Sequence, residues 1–307
     1  MTDFLDSRLT ERRNPRTATI DVASPAEIVA LLNAEDRLVP DAVAQAAPEL
    51  ARAIELVEAA FRAGRRLVYV GAGTSGRLGV LDAAECPPTF GSEPGMVTGL
   101  IAGGEAALVR AIEGAEDDTG AGRDAIDAQA VAPGDVVAGI AASGTTPYVG
   151  AALARARERG ARTLLVTCTD PPEALRAACD VCIVVKVGPE ALTGSTRLKA
   201  GTATKLVLNT LTTGAMIRLG KAYGNLMVDL RASNAKLVDR SERILMEAAG
   251  LDRAGARRVL DAAGGQVKLA IVMARLGLPR DEAARRLAGH GGHLRPLVGD
   301  PPPVHGA

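Results

Sequence analysis

The stretch Leu67-Val-Tyr-Val-Gly-Ala-Gly-Thr-Ser-Gly76 decides the fold. Its first four residues are apolar without alternation, which is typical of a strand buried on both faces of a parallel sheet. The turn Gly71–Gly76 follows directly, opens a helix and has the GxGxxG spacing of dinucleotide-binding turns. A buried strand, a glycine-rich turn and a helix in this order indicate an α/β fold.

Four further apolar runs of the same kind follow, separated by helical stretches. We expect strands at Leu67–Val70, Met96–Ala102, Asp135–Ala141, Thr163–Cys168 and Val181–Val187. We expect helices between them near Leu78–Cys86, Glu105–Glu113, Pro147–Arg159 and Pro172–Ala178. This repetition predicts a doubly wound, flavodoxin-like parallel sheet of five strands.

The flanking sequence is helical. The first twenty residues lack a pattern and are expected to form an extended arm, and a helix begins at Ser24 with a capping box to Glu27. A second helix runs from about Asp41 to Ala63, interrupted at Pro48, and a long one from about Ser195 to Leu219.

Strand signals end after Asn225, and Gly or Pro breaks separate four helices at 233–249, 253–263, 266–276 and 280–288. We therefore divide the chain into N-terminal arm and helices (1–52), an α/β domain (53–224) and a small all-α C-terminal domain (225–307).

Composition excludes several functions. The 307 residues carry 36 basic and 36 acidic side chains, three Phe, three Tyr and no Trp. Neither a long-range field for nucleic acid or anionic lipid nor a set of base-stacking rings is available. No apolar stretch approaches the roughly 18 residues of a membrane span, and the N-terminus lacks a signal-peptide core, so we expect a cytoplasmic protein.

The cysteines and histidines do not form a recognisable metal or disulfide pattern. Cys179 and Cys182 match CxxC, but they run into an apolar strand and are expected to be buried thiols, with metal binding second. Cys86 and Cys168 are isolated, and the three histidines all lie at 290 or later. An all-protein zinc site is therefore not expected.

Two hydroxyl-rich turns suggest a phosphate ligand. Thr74 and Ser75 lie in the first turn, and the second predicted strand ends without the carboxylate that a dinucleotide ribose requires. A second turn, Ser143-Gly-Thr-Thr-Pro147, follows the third strand. Ordinary capping would explain either turn alone, whereas the pair at one sheet edge favours a phosphosugar or similar small phosphate.

Both turns resemble those of the sugar isomerase (SIS) domain family. Within it the chain closely resembles the N-acetylmuramic acid 6-phosphate etherases, relatives of the glucokinase regulatory protein, from about Thr10 to Arg295. The resemblance rests on long gap-free segments: Gly71–Phe90, Glu113–Asp117, Leu192–Lys205, Asn225–Asp229 and His290–Arg295.

The resemblance implies a cytoplasmic homodimer that acts on a small sugar phosphate without metal or organic cofactor, nucleic acid or membrane. It implies cleavage of the D-lactyl ether of N-acetylmuramic acid 6-phosphate to N-acetylglucosamine 6-phosphate and D-lactate. The family's two acid/base glutamates fall on Glu85 and Glu116. The chemistry needs two such groups, because a base removes the C2 proton while an acid protonates the departing oxygen.

We assign Glu85 as the acid, because it closes an apolar helix before Pro87 and Pro88, and Glu116 as the C2 base. Residues 113–118 also fit a solvated helix end. Predicted substrate ligands are Gly73, Thr74, Ser75, Ser143, Gly144, Thr145, Thr146, Ser195 and Lys199. Arg197 and Lys199 fit a solvated basic turn equally well, and His290 and His293 fit helix capping better than catalysis.

Two other functions stay open at this point. A sugar-phosphate isomerase of the SIS family would also begin by removing a proton next to a carbonyl. A non-enzymatic sugar-phosphate sensor is disfavoured, because the chain has room for one SIS domain and no basic helix-turn-helix.

Overall fold

The five apolar runs pair into one parallel sheet in a computed structural model of the protein, which describes residues 8–230 and 235–304. The strands are β1 (Leu67–Gly71), β2 (Val97–Ile101), β3 (Val136–Ile140), β4 (Arg162–Thr167) and β5 (Val181–Val184). Their spatial order is β2-β1-β3-β4-β5, and all four pairings are parallel. This is the flavodoxin-like order, so the predicted fold class is confirmed.

The chain forms two compact units, one of Met1–Ala84 and Gly95–Thr212, the other of Glu85–Pro94 and Thr213–Ala307. The helices up to the end of the sheet region are α1 (Pro25–Asp36), α2 (Val39–Gln45), α3 (Ala47–Arg62), α4 (Gly73–Phe90), α5 (Ala106–Val109), α6 (Thr119–Ala128), α7 (Pro147–Glu158), α8 (Glu173–Ala177) and α9 (Lys199–Arg218). The predicted domain boundaries stay predictions beside this division.

The core of the first unit is the sheet and the helices against it. Every residue of β1 and β3 is buried, as the unbroken apolar runs predict. Side chains of α7, including Val149 and Leu153, pack with Val68 and Val137 of the central strands. The sheet is therefore a rigid platform for the loops at its carboxyl edge.

Two local predictions meet different outcomes, and one helix was not predicted. The capping box is confirmed, since Ser24 accepts from the Glu27 amide and Glu27 accepts from the Ser24 amide at 2.7 Å. The end of α4 at Cys86 is wrong, because the helix continues through Pro87 and Pro88. The helix α6 is missing from the sequence prediction.

The predicted extended arm is wrong for the residues that the structure describes, whereas residues 1–7 of that prediction lie outside them. Three 3₁₀ turns occupy Leu9–Glu11, Pro15–Thr17 and Ile20–Val22. Thr10, Asn14 and Thr17 are buried there. Hydrogen bonds from the buried side chains of Asn14 and Thr17 anchor this segment within the first unit.

The second unit is mainly helical, as predicted. Its helices are α10 (Ala235–Ala249), α11 (Arg253–Ala262), α12 (Val267–Leu276), α13 (Arg280–Gly289) and α14 (Arg295–Val298), and they share one apolar core. Positions 233–234 of the first predicted helix lie outside the described residues. Contrary to expectation, β6 (Ala222–Tyr223) and β7 (Leu226–Met227) form a short antiparallel hairpin. None of the described helices combines the length and apolar character needed to cross a membrane.

Candidate active site

The two hydroxyl-rich turns leave neighbouring strands at the same sheet edge. Gly71 at the end of β1 pairs in register with Ile140 at the end of β3. The first turn passes into α4 at Gly73 and the second into α7 at Pro147. Two helix N-termini therefore begin side by side at this edge, where parallel α/β sheets bind ligands.

The second turn presents its hydroxyls in an ordered arrangement. Thr145 donates from its amide and its hydroxyl to Ser143 Oγ at 3.4 and 3.3 Å. Thr146 occupies the N-cap position of α7, but its side chain makes no capping hydrogen bond. Gly144 has a φ of +68° and is buried between them. The Thr146 hydroxyl is thus not committed to its own helix.

The start of α9 lies beside the first turn. A Cβ on Gly201 would come 3.6 Å from Thr74 Cγ2. Ser195 is half-buried in the turn just before α9, where its amide donates to the carbonyl of Leu192 at 3.0 Å. The structure therefore brings three of the predicted segments, the two turns and the start of α9, to one region of the first unit.

Lys199 lies in a different setting from the predicted one. Only 1% of its surface is exposed, and its Nζ contacts Glu35 Oε2 at 2.5 Å. Glu35 also accepts from Arg16 Nη2 at 2.8 Å. Hydrogen bonds from Arg16 and then Lys199 lower the pKa of Glu35 to about 2 despite its burial. The solvated-turn interpretation of Lys199 is wrong, and its ammonium is engaged with Glu35, so its role as a substrate ligand stays a prediction.

Glu190 caps the N-terminus of α9, beside the predicted ligand Lys199. The amides of Lys199 and Ala200 donate to its two carboxylate oxygens at 3.0 and 2.9 Å. Glu190 is fully buried, and this burial raises its pKa. Because it stands nine residues before Lys199, no local capping pattern in the sequence could identify it.

Glu116 lines a cavity that also contains the first turn. It lies in a 3₁₀ turn, Ala115–Asp117, which follows Gly114 in the left-handed region and packs against α7. The cavity has a volume of about 190 Å³. Its lining residues are Ala72, Gly73, Arg77, Ala102, Ala107, Ala111, Ile112, Glu113, Gly114, Ala115 and Glu116. Glu116 and Gly73 thus face one space at the carboxyl ends of β1 and β2.

Glu85 belongs to the second unit and does not line this cavity. Glu85 is exposed, so this chain does not surround it with the apolar side chains on which its assignment as the acid was argued. The buried carboxyl on α4 is Asp82, which accepts from Tyr69 Oη at 2.9 Å and Thr212 Oγ1 at 3.2 Å. Burial raises the pKa of Asp82.

Comparison with known proteins identifies the family. A family model described as the glucokinase regulatory protein N-terminal SIS domain matches residues 49–157. A relative from Serratia proteamaculans, named N-acetylmuramic acid 6-phosphate etherase, is 53% identical over 291 residues, covering 95% of this chain and 98% of the relative. The chain belongs to the N-acetylmuramic acid 6-phosphate etherase family. A second etherase, from Brucella anthropi, is 53% identical over 96% of this chain and 95% of its own length.

Solved structures similar to this etherase-family chain include a phosphoheptose isomerase from Francisella tularensis. It is 15% identical, with a TM-score of 0.49, and the match covers 64% of this chain and all of the isomerase.

The second unit of this etherase-family chain has a cavity of its own, of about 610 Å³. Asp229 Oδ2 joins two cations there, Lys268 Nζ at 2.6 Å and Lys221 Nζ at 3.0 Å. Burial lowers the pKa of Lys268. Outside the cavity, His290 Nδ1 lies 2.9 Å from the carbonyl of Arg286 at the end of α13, which agrees with the predicted capping role.

The cysteines fit buried thiols rather than a redox pair. Cys86 and Cys168 are buried, and Cys179 and Cys182 are half-buried. Burial raises the pKa of both Cys168 and Cys179 to about 12, so these thiols stay protonated at neutral pH. Across residues 8–230 and 235–304, no group of three or more His, Cys, Asp or Glu is placed to hold a metal ion.

Proposed function

We propose that the protein cleaves the D-lactyl ether of N-acetylmuramic acid 6-phosphate, giving N-acetylglucosamine 6-phosphate and D-lactate. The observation that carries this proposal is the 53% identity, over 95% of the chain, to the relative named N-acetylmuramic acid 6-phosphate etherase. The geometry supports it, because two helix N-termini with hydroxyl-rich turns suit a phosphate monoester.

The reaction is an elimination followed by a water addition. In the open-chain sugar, C2 lies next to the C1 aldehyde, so its proton is acidic enough for a carboxylate to remove. The electron pair forms the C2–C3 double bond, the C3–O bond breaks, and an acid protonates the departing lactate oxygen. Water then adds, with its hydroxyl at C3 and a proton at C2. Each positioned acid or base contributes roughly 10²–10⁴-fold to the rate.

Glu116 is our candidate for the C2 base and Glu85 for the acid. The base assignment is supported by the cavity that Glu116 shares with Gly73. The acid assignment rests on the family resemblance. For the phosphate, the candidate donors are the hydroxyls and amides of Gly73, Thr74, Ser75, Ser143, Gly144, Thr145 and Thr146, with Ser195 and Lys199 as further predicted ligands.

We further propose that the enzyme is a cytoplasmic homodimer that needs no metal or organic cofactor. Light scattering on the purified protein tests the dimer. Activity that survives extensive dialysis against a chelator supports metal-free catalysis, whereas activity restored only by a divalent cation contradicts it.

The decisive experiment incubates the purified protein with N-acetylmuramic acid 6-phosphate in deuterium oxide. We expect D-lactate release and deuterium at C2 of the sugar product, because the removed proton exchanges with solvent before it returns. Interconversion of hexose 6-phosphates without lactate would instead identify an isomerase. Thermal stabilisation by the sugar phosphate without turnover would identify a sensor.

Two variants and a matched control test the roles of the glutamates. Glu116→Gln should abolish C2 exchange, whereas Glu85→Gln should retain exchange with slow lactate release. Glu105→Gln removes an exposed carboxylate next to α5 and should behave as wild type. Exchange that survives in Glu116→Gln and is lost in Glu85→Gln would reverse the two roles.

A further inference from the structure

Arg77 connects the first turn to the segment that carries Glu116. It lies on α4, one residue after Gly76. Its Nε donates to the carbonyl of Leu108 at 3.1 Å, and its Nη2 donates to the carbonyl of Arg110 at 3.2 Å. One guanidinium thus holds two carbonyls, one on each side of Val109, where α5 ends.

The segment held in this way has little packing of its own. Val109 is 89% exposed and Arg110, Ala111 and Glu113 are exposed as well, whereas Ile112 is partly covered, at 37% exposure. The chain then turns through Gly114, in the left-handed region, into the 3₁₀ turn of Glu116. A tether at Arg110 therefore restricts where this turn, six residues later, can place its carboxylate.

The two carbonyls are the hydrogen-bond acceptors of the Arg77 guanidinium in the described part of the chain. In the described part of the chain, no carboxylate forms an ion pair with Arg77, although Arg77, Glu113 and Glu116 line the same cavity. Its planar fork suits two fixed acceptors, which the three rotatable donors of a lysine ammonium at a single point do not reproduce.

We propose that Arg77 is a positioning residue for Glu116, and this rests on the proposed etherase function. Through the carbonyls of Leu108 and Arg110 it holds the Glu116 segment beside the phosphate-binding turn. A displacement of about 1 Å of a catalytic group can cost on the order of 10²-fold in rate. Loss of the fork should therefore lower kcat while the phosphate turns still bind.

The test compares Arg77→Met, Arg77→Lys and a control, Arg65→Met. The control also removes one positive charge, but from an exposed residue just before the amino end of β1. We measure kcat and KM for N-acetylmuramic acid 6-phosphate, C2 exchange in deuterium oxide, the Kd for N-acetylglucosamine 6-phosphate, and Tm. For both Arg77 variants we expect kcat and C2 exchange to fall together by about 10²-fold, with Kd within about threefold of wild type. Arg65→Met should match wild type.

Other results overturn the proposal. A Kd that rises in proportion to the lost activity would make Arg77 a substrate ligand, and an Arg77→Lys variant with wild-type kcat would leave only its charge important. Arg77→Lys retains the cation and most of the side-chain volume, so it remains informative if Arg77→Met fails to fold. Wild-type protein that releases no lactate overturns the etherase function and this inference together, whereas lactate release with unaffected Arg77 variants overturns this inference alone.

Discussion

At the scale of single residues, the proposed phosphate site depends on a backbone conformation that only glycine adopts easily. Gly144 has a φ of +68°, and a Cβ there would lie 3.1 Å from Pro171 Cα and from Thr167 Oγ1. Gly144→Ala should lower the free energy of unfolding by about 1–3 kcal/mol and raise KM, because the turn must shift away from β4. Urea unfolding and steady-state kinetics measure both effects.

Gly104 is a matched control for Gly144. Its φ is also +68°, but a Cβ there would meet nothing within 4 Å. Gly104→Ala therefore carries the backbone strain without the crowding, and we expect a smaller loss of stability and an unchanged KM. Equal effects of the two substitutions on stability and KM would show that crowding at the second turn is unimportant.

At the scale of elements, the position of Glu116 depends on the packing of two helices. Its 3₁₀ turn packs on α7, and α6 begins shortly after it. A Cβ on Gly122 of α6 would lie 2.4 Å from the carbonyl oxygen of Tyr148 on α7. Gly122→Ala should separate the helices, cost about 1–3 kcal/mol of stability and lower kcat.

Gly150, on α7 itself, is the control for this helix pair. A Cβ there would meet nothing within 4 Å, so Gly150→Ala should be neutral or stabilise by up to about 1 kcal/mol. Chemical unfolding of both variants measures the difference. A Gly122→Ala variant as stable and active as Gly150→Ala would show that the close approach of the helices is not required.

The elements that the sequence predicts are those with a local signal. Unbroken apolar runs predict β1 and β3 because both faces of these strands are buried, and Ser24 with Glu27 predicts the start of α1 because capping is a contact within four residues. The helix α6 is not predicted because Gly120 and Gly122 lower its helix propensity, although the close packing on α7 requires Gly122.

The same distinction applies to the candidate site. The two turns are recognisable because each lies within a few residues of its strand. The partners of Lys199 are not, because Glu35 is 164 residues away in the chain and Glu190 reaches the amides of α9 across a loop. The sequence around Lys199 suggests an anion ligand, and only the fold shows that its ammonium also pairs with Glu35.

At the scale of the whole molecule, polar contacts hold the segment around Asn14–Thr17 in place. Asn14 Nδ2 donates to the carbonyl of Pro189 at 3.2 Å, and Thr17 Oγ1 donates to that of Ala191 at 2.8 Å. In addition, Arg16 and Lys199 both form ion pairs with the carboxylate of Glu35. Glu35 therefore connects three parts of the first unit that are far apart in sequence.

This connection makes stability depend on pH in a defined direction. The pKa of Glu35 is lowered from 4.5 to about 2, chiefly by Arg16. A carboxyl with a depressed folded pKa stabilises fully above its unfolded value, and this stabilisation is lost as the pH falls through the folded value. Its contribution should therefore decline between about pH 4.5 and pH 2. Burial raises the pKa of Asp82 and Glu190, whose contributions run the opposite way.

Comparing wild type with Glu35→Gln isolates this contribution, because Asp82 and Glu190 are present in both proteins. At pH 7 the free energy of unfolding of the variant should be about 3–5 kcal/mol lower, since Lys199 is left buried without its counter-charge, and the difference should shrink toward pH 2.

Glu158→Gln is the control. Arg123 above all lowers the pKa of Glu158 to about 2 as well, but this pair is exposed. Solvent screens it, so this variant should unfold as wild type does. A Glu35→Gln deficit that persists unchanged at pH 2 would show that packing, not charge, holds the three segments together.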